Sequence, residues 1–183
     1  MPPSQRAAGA VARAFAPLLG PSPQLLILGS LPGAASLAAG QYYAHPRNLF
    51  WDFMGALFGA GPELPYPERT LRLTQSGVAV WDVLQEATRE GSLDTAIDLA
   101  TARHSDLLAL LTAEPGIRCI AFNGATAARL FRQRAAAALA ASGRTVTCLT
   151  LPSTSPANAG LNRTDKLASW QRLKDFGRSR VVA

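Results

Sequence analysis

In the run Gln24-Leu25-Leu26-Ile27-Leu28-Gly29, the four residues between the glutamine and the closing glycine are all apolar. A strand of a parallel sheet has this pattern, because helices cover both faces of such a sheet. Three further runs resemble it: Val78–Trp81, Ile117–Phe122 and Thr145–Leu151. Helical patterns between these runs favour right-handed crossover connections. The sequence therefore predicts an α/β fold, a three-layer α/β/α sandwich with a short, mainly parallel central sheet.

The other segments complete this prediction. Helical patterns cover residues 5–19, 48–58, 68–75, a leucine-rich stretch that opens at residues 104–106, residues 125–141 and residues 165–176. Residues 85–104 are polar, and we expect them to be irregular. No repeat or long linker divides the chain, so we expect a single domain over residues 1–183.

Composition excludes several classes of protein. The chain has 183 residues, of which 48% are hydrophobic and 16% charged, so it is neither disordered nor collagen-like. Its two cysteines, Cys119 and Cys148, lie in strand-like runs and are expected to be buried free thiols. With no apolar run of the ~18 residues that a membrane span needs, and no secretory signal, we expect a cytoplasmic protein.

The net charge is +6, and nearly all the basic residues are arginines. Guanidinium groups match phosphate oxygens in two-point contacts, so nucleic acid is one partner that this charge indicates. A solubilising surface in an arginine-rich and alanine-rich proteome is the other interpretation. Charge alone does not separate the two.

Ligands of open parallel sheets bind at the carboxyl ends of the strands. The segments that follow the four predicted strands are residues 29–33, 81–82, 122–124 and 151–158. They carry glycines, hydroxyls, amides and a carboxylate, but no lysine, Walker loop or pair of carboxylates. This argues against Schiff-base chemistry, P-loop phosphoryl transfer and ordinary glycoside hydrolysis. A nucleotide hydrolase or transferase that cradles phosphate in the first loop remains an alternative.

Two segments carry a family resemblance. Gly29-Ser30-Leu31-Pro32-Gly33 and Tyr42-Tyr43-Ala44-His45-Pro46-Arg47-Asn48-Leu49-Phe50-Trp51 resemble the first motif region of the uracil-DNA glycosylase superfamily, in particular its hypoxanthine (deoxyinosine)-DNA glycosylase branch. Residues 77–83, 121–124 and 151–158 agree with that branch in order and spacing. The resemblance implies a monofunctional glycosylase of base excision repair that hydrolyses the N-glycosidic bond of hypoxanthine, with uracil as a second candidate base. It implies no metal, nucleotide or flavin.

The resemblance also implies a catalytic residue. Many relatives place an asparagine or aspartate at the third position of the first loop to handle the attacking water, but here that position is Leu31. In the hypoxanthine branch a later asparagine takes over, which is Asn48. Directly before an apolar helix, an asparagine also satisfies first-turn N–H groups as a cap, and the two roles are compatible.

The expected base-binding residues are Gly29, Ser30, Tyr43, Asp82 and Asn123. Tyr43 matches an aromatic that stacks on the extruded base, although it could simply cover the edge of the core. Asp82 stands where relatives read the base edge with an asparagine, and its carboxylate can accept a ring N–H; its alternative role is to brace the loop. Asn123 either lies in the pocket or fixes a turn, while Gly29 and Ser30 offer backbone N–H groups.

The final loop lacks the histidine that uracil-specialised relatives often have. The residues expected to grip DNA are Ser153, Thr154, Ser155, Arg163 and Lys166, with Ala157 and Asn158 near the tip that enters the gap left by the extruded nucleotide. Ordinary turn chemistry is the alternative for the serines. The expected partner is single-stranded or double-stranded DNA with a damaged base, bound by a monomer that does not associate with membranes.

Besides the nucleotide hydrolase or transferase, two alternatives remain open. One is a mismatch-type uracil/thymine-DNA glycosylase. The other is a non-catalytic nucleic-acid-binding module of the same fold, which the apolar Leu31 makes conceivable.

Overall fold

The computed structural model of the chain describes residues 9–177. The strands are β1 (Ala10–Arg13), β2 (Leu25–Gly29), β3 (Val78–Asp82), β4 (Leu84–Arg89), β5 (Ile97–His104), β6 (Cys119–Asn123) and β7 (Thr147–Leu151). The α-helices are α1 (Ala34–Ala39), α2 (Phe50–Phe58), α3 (Tyr66–Gln75), α4 (Leu107–Ala113), α5 (Ala125–Arg134), α6 (Ala136–Ala141) and α7 (Arg163–Trp170). Short 3-10 segments cover Asp94–Ala96 and Gln171–Asp175.

The four apolar runs form one parallel sheet in the order β3-β2-β6-β7. Alternate side chains of β2 enter opposite cores. Leu26 and Leu28 share a core with α4 and α5, whereas Leu25 and Ile27 share the other with α2, α3 and α7. All four are fully buried, each worth ~1.5–3 kcal/mol of transfer free energy. The prediction of a three-layer sandwich with a parallel central sheet is confirmed.

The helix predicted over residues 5–19 is wrong where the structure describes it. Residues 5–8 lie outside the described residues, and Ala10–Arg13 form strand β1, which pairs antiparallel with β4. Only Ala12 of this strand is buried. Alanine-rich sequence favours a helix locally, but backbone pairing with a distant strand overrides that preference.

The irregular structure expected for residues 85–104 is also wrong. Leu84–Arg89 and Ile97–His104 are antiparallel partners in a second sheet of order β1-β4-β5. An antiparallel sheet can leave one face in water, so its strands need only a weak apolar pattern. The connection between these strands matters for the site described below.

Smaller differences concern element ends and one thiol. The helix predicted over residues 125–141 is divided at Ala135 into α5 and α6, and the last α-helix ends at Trp170 before a 3-10 segment. Cys119 is buried as expected, but Cys148 is exposed because β7 is the edge strand of its sheet. Among residues 9–177, no helix is long and apolar enough to cross a membrane.

Candidate active site

A cavity of about 430 Å³ opens at the carboxyl ends of the parallel strands. Strand register brings the predicted loops together there, since Gly29 is paired with Asp82 and Asn123 with Leu151. The predicted site residues that line the cavity are Gly29, Ser30, Tyr43, Asn48, Asp82, Asn123, Ser153, Thr154, Ser155, Ala157 and Asn158. Arg163 and Lys166 do not line it.

Gly29 allows two polar side chains to meet at the base of the cavity. A Cβ atom at this position would lie 2.5 Å from Oδ1 of Asp82 and 3.0 Å from the hydroxyl oxygen of Tyr43. Real Cβ atoms do not approach other atoms this closely, so any larger residue would displace one of these groups. The glycine is required here by close packing of side chains.

Asp82 is a buried carboxyl group. The residue is 3% exposed, and its Oδ2 atom is buried without a hydrogen-bond partner among residues 9–177. Burial, and then the negative charge of Asp94, raise the pKa of Asp82 to about 7, while the charge of Arg89 acts in the opposite direction. Its protonation state therefore changes near neutral pH.

Tyr43 forms an aromatic wall of the cavity. Its ring stacks on Phe50 with centroids 3.9 Å apart and an interplanar angle of 20°. The residue has φ = 54°, a left-handed conformation that costs a non-glycine residue on the order of 1–3 kcal/mol. Its hydroxyl oxygen is buried and has no hydrogen-bond partner in the described chain, and burial followed by the charge of Asp82 raises the pKa of Tyr43.

Asn48 lies directly before Leu49, the N-cap residue of α2, and also lines the cavity. Its Oδ1 accepts a hydrogen bond from the N–H of Phe50 at 3.0 Å, at the start of α2. The neighbouring Leu49 N–H donates to the carbonyl oxygen of Thr154 at 3.1 Å, which ties this segment to the final loop. The amide nitrogen of Asn48 makes no hydrogen bond to residues 9–177 and is available to a ligand.

Leu31 is 6% exposed and packs in the core while also lining the cavity. The third position of the first loop therefore presents an apolar side chain to the cavity, with no group that could bind water. Among the predicted site residues that line the cavity, the side-chain amide nitrogens of Asn48 and Asn158 make no hydrogen bond to residues 9–177, whereas that of Asn123 is bonded to Thr154.

Asn123 and Thr154 hold the final loop against β6. The Asn123 amide nitrogen donates to Oγ1 of Thr154 at 2.9 Å, and its Oδ1 accepts the Thr154 N–H at 2.9 Å. Thr154 is 1% exposed. Both residues thus build the cavity wall, and Thr154 is too buried to grip a phosphate at the surface as we expected.

The serines of the final loop make the turn contacts named above as an alternative. Oγ of Ser153 accepts the N–H of Ser155, and Oγ of Ser155 accepts the N–H of Ala157, both at 3.2 Å. Gly124, with φ = 104°, faces this loop, and a Cβ atom there would lie 3.1 Å from that of Ser153. The loop is therefore held closely against the start of α5.

The two predicted phosphate-binding cations occupy different environments. Arg163 is exposed and lies 3.3 Å from a carboxylate oxygen of Asp52. Lys166 is buried, and its ammonium group donates to the carbonyl oxygens of Ser153 and Asn158. Lys166 was expected to grip DNA, but the final loop folds over its ammonium group, so it braces that loop instead.

Asp94 is a cavity residue that sequence reasoning missed. It belongs to the connection between β4 and β5, and its Oδ1 accepts the hydroxyl proton of Ser30 at 2.6 Å. The four post-strand loops lack a pair of carboxylates, as the sequence indicated, but the cavity contains both Asp82 and Asp94. No local pattern in residues 85–104 indicates that this carboxylate reaches the parallel sheet.

Arg89 was missed for the same reason. It is 4% exposed, and its guanidinium group donates to the carbonyl oxygens of Leu31, Pro32 and Gly91. It therefore holds the first loop against the second sheet. Within residues 9–177, no group of three or more histidine, cysteine or acidic side chains could hold a metal ion.

Comparisons with known proteins agree with this architecture. The family model of the uracil DNA glycosylase superfamily matches residues 16–174. A protein named hypoxanthine DNA glycosylase from Methanosarcina barkeri is 34% identical over 111 residues, 60% of this chain and 69% of that protein. One of the same name from Methanosarcina acetivorans is 34% identical over 115 residues, 62% of this chain and 72% of that protein.

The fold has a solved counterpart. The solution NMR structure of a candidate uracil DNA glycosylase from Methanosarcina acetivorans superposes with a TM-score of 0.75 and 29% identity, covering 91% of this chain and 99% of that one. The resemblance and the fold class indicated by the motifs are confirmed. The chain belongs to the uracil DNA glycosylase superfamily.

Proposed function

We propose that this DNA glycosylase releases hypoxanthine from DNA, with uracil as a secondary base, by hydrolysis of the N-glycosidic bond. The observation that carries the proposal is the convergence of Tyr43, Asp82 and Asn48 on one cavity of about 430 Å³. An aromatic face, a buried carboxyl and a free amide N–H suit a flat base with a polar edge. Two similar proteins are named hypoxanthine DNA glycosylase, which supports this choice of base.

The base enters the cavity after leaving the DNA stack. Extrusion costs a few kcal/mol and is easiest for a mismatched base, which a deaminated base is. One face of the Tyr43 ring rests on Phe50, so its other face is the one available for stacking on the base. Stacking of this kind contributes ~1–3 kcal/mol.

Asn48 orients the attacking water. Because its Oδ1 already accepts the Phe50 N–H, the amide is fixed in one orientation toward the cavity. An amide is a poor base, so its contribution is the position of the water relative to the sugar carbon. As the bond to the base breaks, the sugar gains positive charge, which the neighbouring DNA phosphates stabilise.

DNA is bound at the rim of the cavity. Ala157 and Asn158 are exposed there and line the mouth. Arg163, exposed at the start of α7, is the phosphate contact that we propose. We also propose that the chain acts as a single domain over residues 1–183, as a monomer in the cytoplasm, on single-stranded or double-stranded DNA; size-exclusion chromatography with light scattering tests the monomer.

The function is tested with labelled duplexes that contain inosine, uracil, ethenoadenine or no modified base, followed by alkaline cleavage at abasic sites. We expect cleavage of the inosine duplex first and a slower reaction with uracil. A strand that is bound but never cleaved would identify a non-catalytic binding module. Preferential release of thymine or uracil opposite guanine would identify a mismatch-type enzyme instead.

A further inference from the structure

The cavity contains a pair of carboxyl groups that have different environments. Asp82 is buried and lines the cavity, and its Oδ2 atom has no hydrogen-bond partner in the described chain. Asp94 is half-buried, and its Oδ1 is held by the Ser30 hydroxyl at 2.6 Å. Asp94 thus reaches the cavity as an acceptor of a fixed hydrogen bond, whereas Asp82 has an uncommitted oxygen.

In the described chain, none of the ionisable groups around Asp82 forms a salt bridge with the carboxyl group of Asp82 or Asp94. They are Tyr42 and Tyr43, Asp94 and Arg89. Arg89 donates its hydrogen bonds to backbone carbonyls, and no salt bridge in residues 9–177 joins it to either carboxylate. Both carboxyl groups line one cavity, and the negative charge of Asp94 disfavours ionisation of the buried Asp82.

We propose that Asp82 carries a proton while the base is recognised, and that Asp94, which lines the same cavity, is the positioning residue that keeps the proton there. This inference rests on the proposed function and specifies how the site reads its base. The burial of Asp82 and the hydrogen bond from Ser30 to Asp94 both favour this distribution of the proton. The pKa of Asp82, raised to about 7 by burial and then by Asp94, is consistent with it.

The proton determines which base edge fits. An ionised carboxylate only accepts hydrogen bonds, whereas a protonated one offers a donor and an acceptor. Hypoxanthine presents a ring N–H beside a carbonyl oxygen, which is complementary to the protonated form. An ionised carboxylate has no donor and would leave the carbonyl oxygen of hypoxanthine without a partner. The proton on Asp82 therefore allows this side chain to bind both atoms of that edge.

The pH dependence of single-turnover hypoxanthine release tests this inference in three variants. In the unchanged protein, release should fall as the pH rises through about 7, where Asp82 loses its proton. Asp94→Asn should move this fall to lower pH by on the order of one unit, because the repelling charge is gone. Asp82→Asn keeps a donor and an acceptor, so its profile should lose this fall. The double variant should match Asp82→Asn.

Glu90→Gln is the matched control. It removes one negative charge from the same connection at an exposed residue that does not line the cavity, so the fall should stay in place. If Asp94→Asn does not fold, Asp94→Ala replaces it. A decrease in release by the same factor at every pH in Asp94→Asn would overturn the inference.

A second measurement does not depend on activity. The infrared carbonyl band of a protonated carboxyl should titrate in the unchanged protein, titrate at lower pH in Asp94→Asn and be absent in Asp82→Asn. A band that titrates at the same pH with and without Asp94 contradicts the inference. If the band behaves as expected but no hypoxanthine is released at any pH, the proton on Asp82 is supported and the proposed function has failed.

Discussion

Lys166 lies beneath the loop that precedes its helix: its ammonium group donates to the carbonyl oxygen of Ser153 at 2.8 Å, and the residue is only 3% exposed. A second hydrogen bond goes to the carbonyl oxygen of Asn158. Residues 153–158 form one wall of the cavity, so this buried cation stabilises the site from behind. Arg163, one turn earlier, remains at the surface.

These two cations should have separable effects. Lys166→Met leaves two carbonyl oxygens without a donor, so the free energy of unfolding should fall by ~1–3 kcal/mol, as measured in urea. Arg163→Gln should instead reduce the slope of DNA affinity against salt by about one counterion, at nearly unchanged stability. Arg132→Gln, an equal charge change in the last turn of α5, is the control. If the slope of DNA affinity against salt changed in Lys166→Met and not in Arg163→Gln, Lys166 would be the phosphate contact and these roles would be reversed.

Asn48 should be essential for the chemical step. Asn48→Ala should lower single-turnover release of hypoxanthine by on the order of 10²-fold, because the water loses its orienting amide. DNA binding should persist, since this residue is not expected to contact phosphates.

A serine separates catalysis from capping at this position. Serine caps helices as well as asparagine does, so Asn48→Ser should retain most of the ~1 kcal/mol that the cap contributes. We nevertheless expect it to be as slow as Asn48→Ala. If Asn48→Ser released hypoxanthine at the unchanged rate, the only role of the Asn48 amide would be to accept the Phe50 N–H at the start of α2.

Asp82 makes folding stability depend on pH. Its pKa rises from 3.8 to about 7 on folding, so between these values the folded protein binds more protons than the unfolded chain. This contribution to stability is present below pH 3.8 and is lost as the pH rises through about 7. Asp82→Asn does not titrate there, so its advantage over the unchanged protein should grow with pH, to at most about 4 kcal/mol. Urea unfolding of both proteins at pH 4 and pH 8 measures this difference in the free energy of unfolding. A difference that does not depend on pH would contradict this explanation.

Gly29 should tolerate no side chain. Gly29→Ala places a methyl group against Asp82 and Tyr43, so we expect a loss of ~1–3 kcal/mol in stability and a large loss of hypoxanthine release. At Gly33 in the same loop, a Cβ atom meets its nearest neighbour at 3.7 Å, which is ordinary contact. Gly33→Ala should therefore fold and react normally. Equal tolerance at both positions would mean that the cavity base is more adaptable than its packing indicates.

The sequence by itself determined the central sheet and the location of the site. Runs such as residues 24–29 are recognisable because continuous apolarity is a local property, and parallel strands place their carboxyl ends at one edge. The family motifs on those loops then identified Tyr43, Asn48 and Asp82, all of which line the cavity. Their catalytic and base-binding roles remain predictions.

The tertiary structure alone decided which polar groups share that cavity. Asp94 reaches it because β4 pairs with both β5 and β1, and such pairing depends on residues far apart in sequence. Lys166 is buried because a loop folds over it, which its own helix pattern cannot indicate. Burial and neighbouring charge set the protonation of Asp82, and both arise only when distant segments meet.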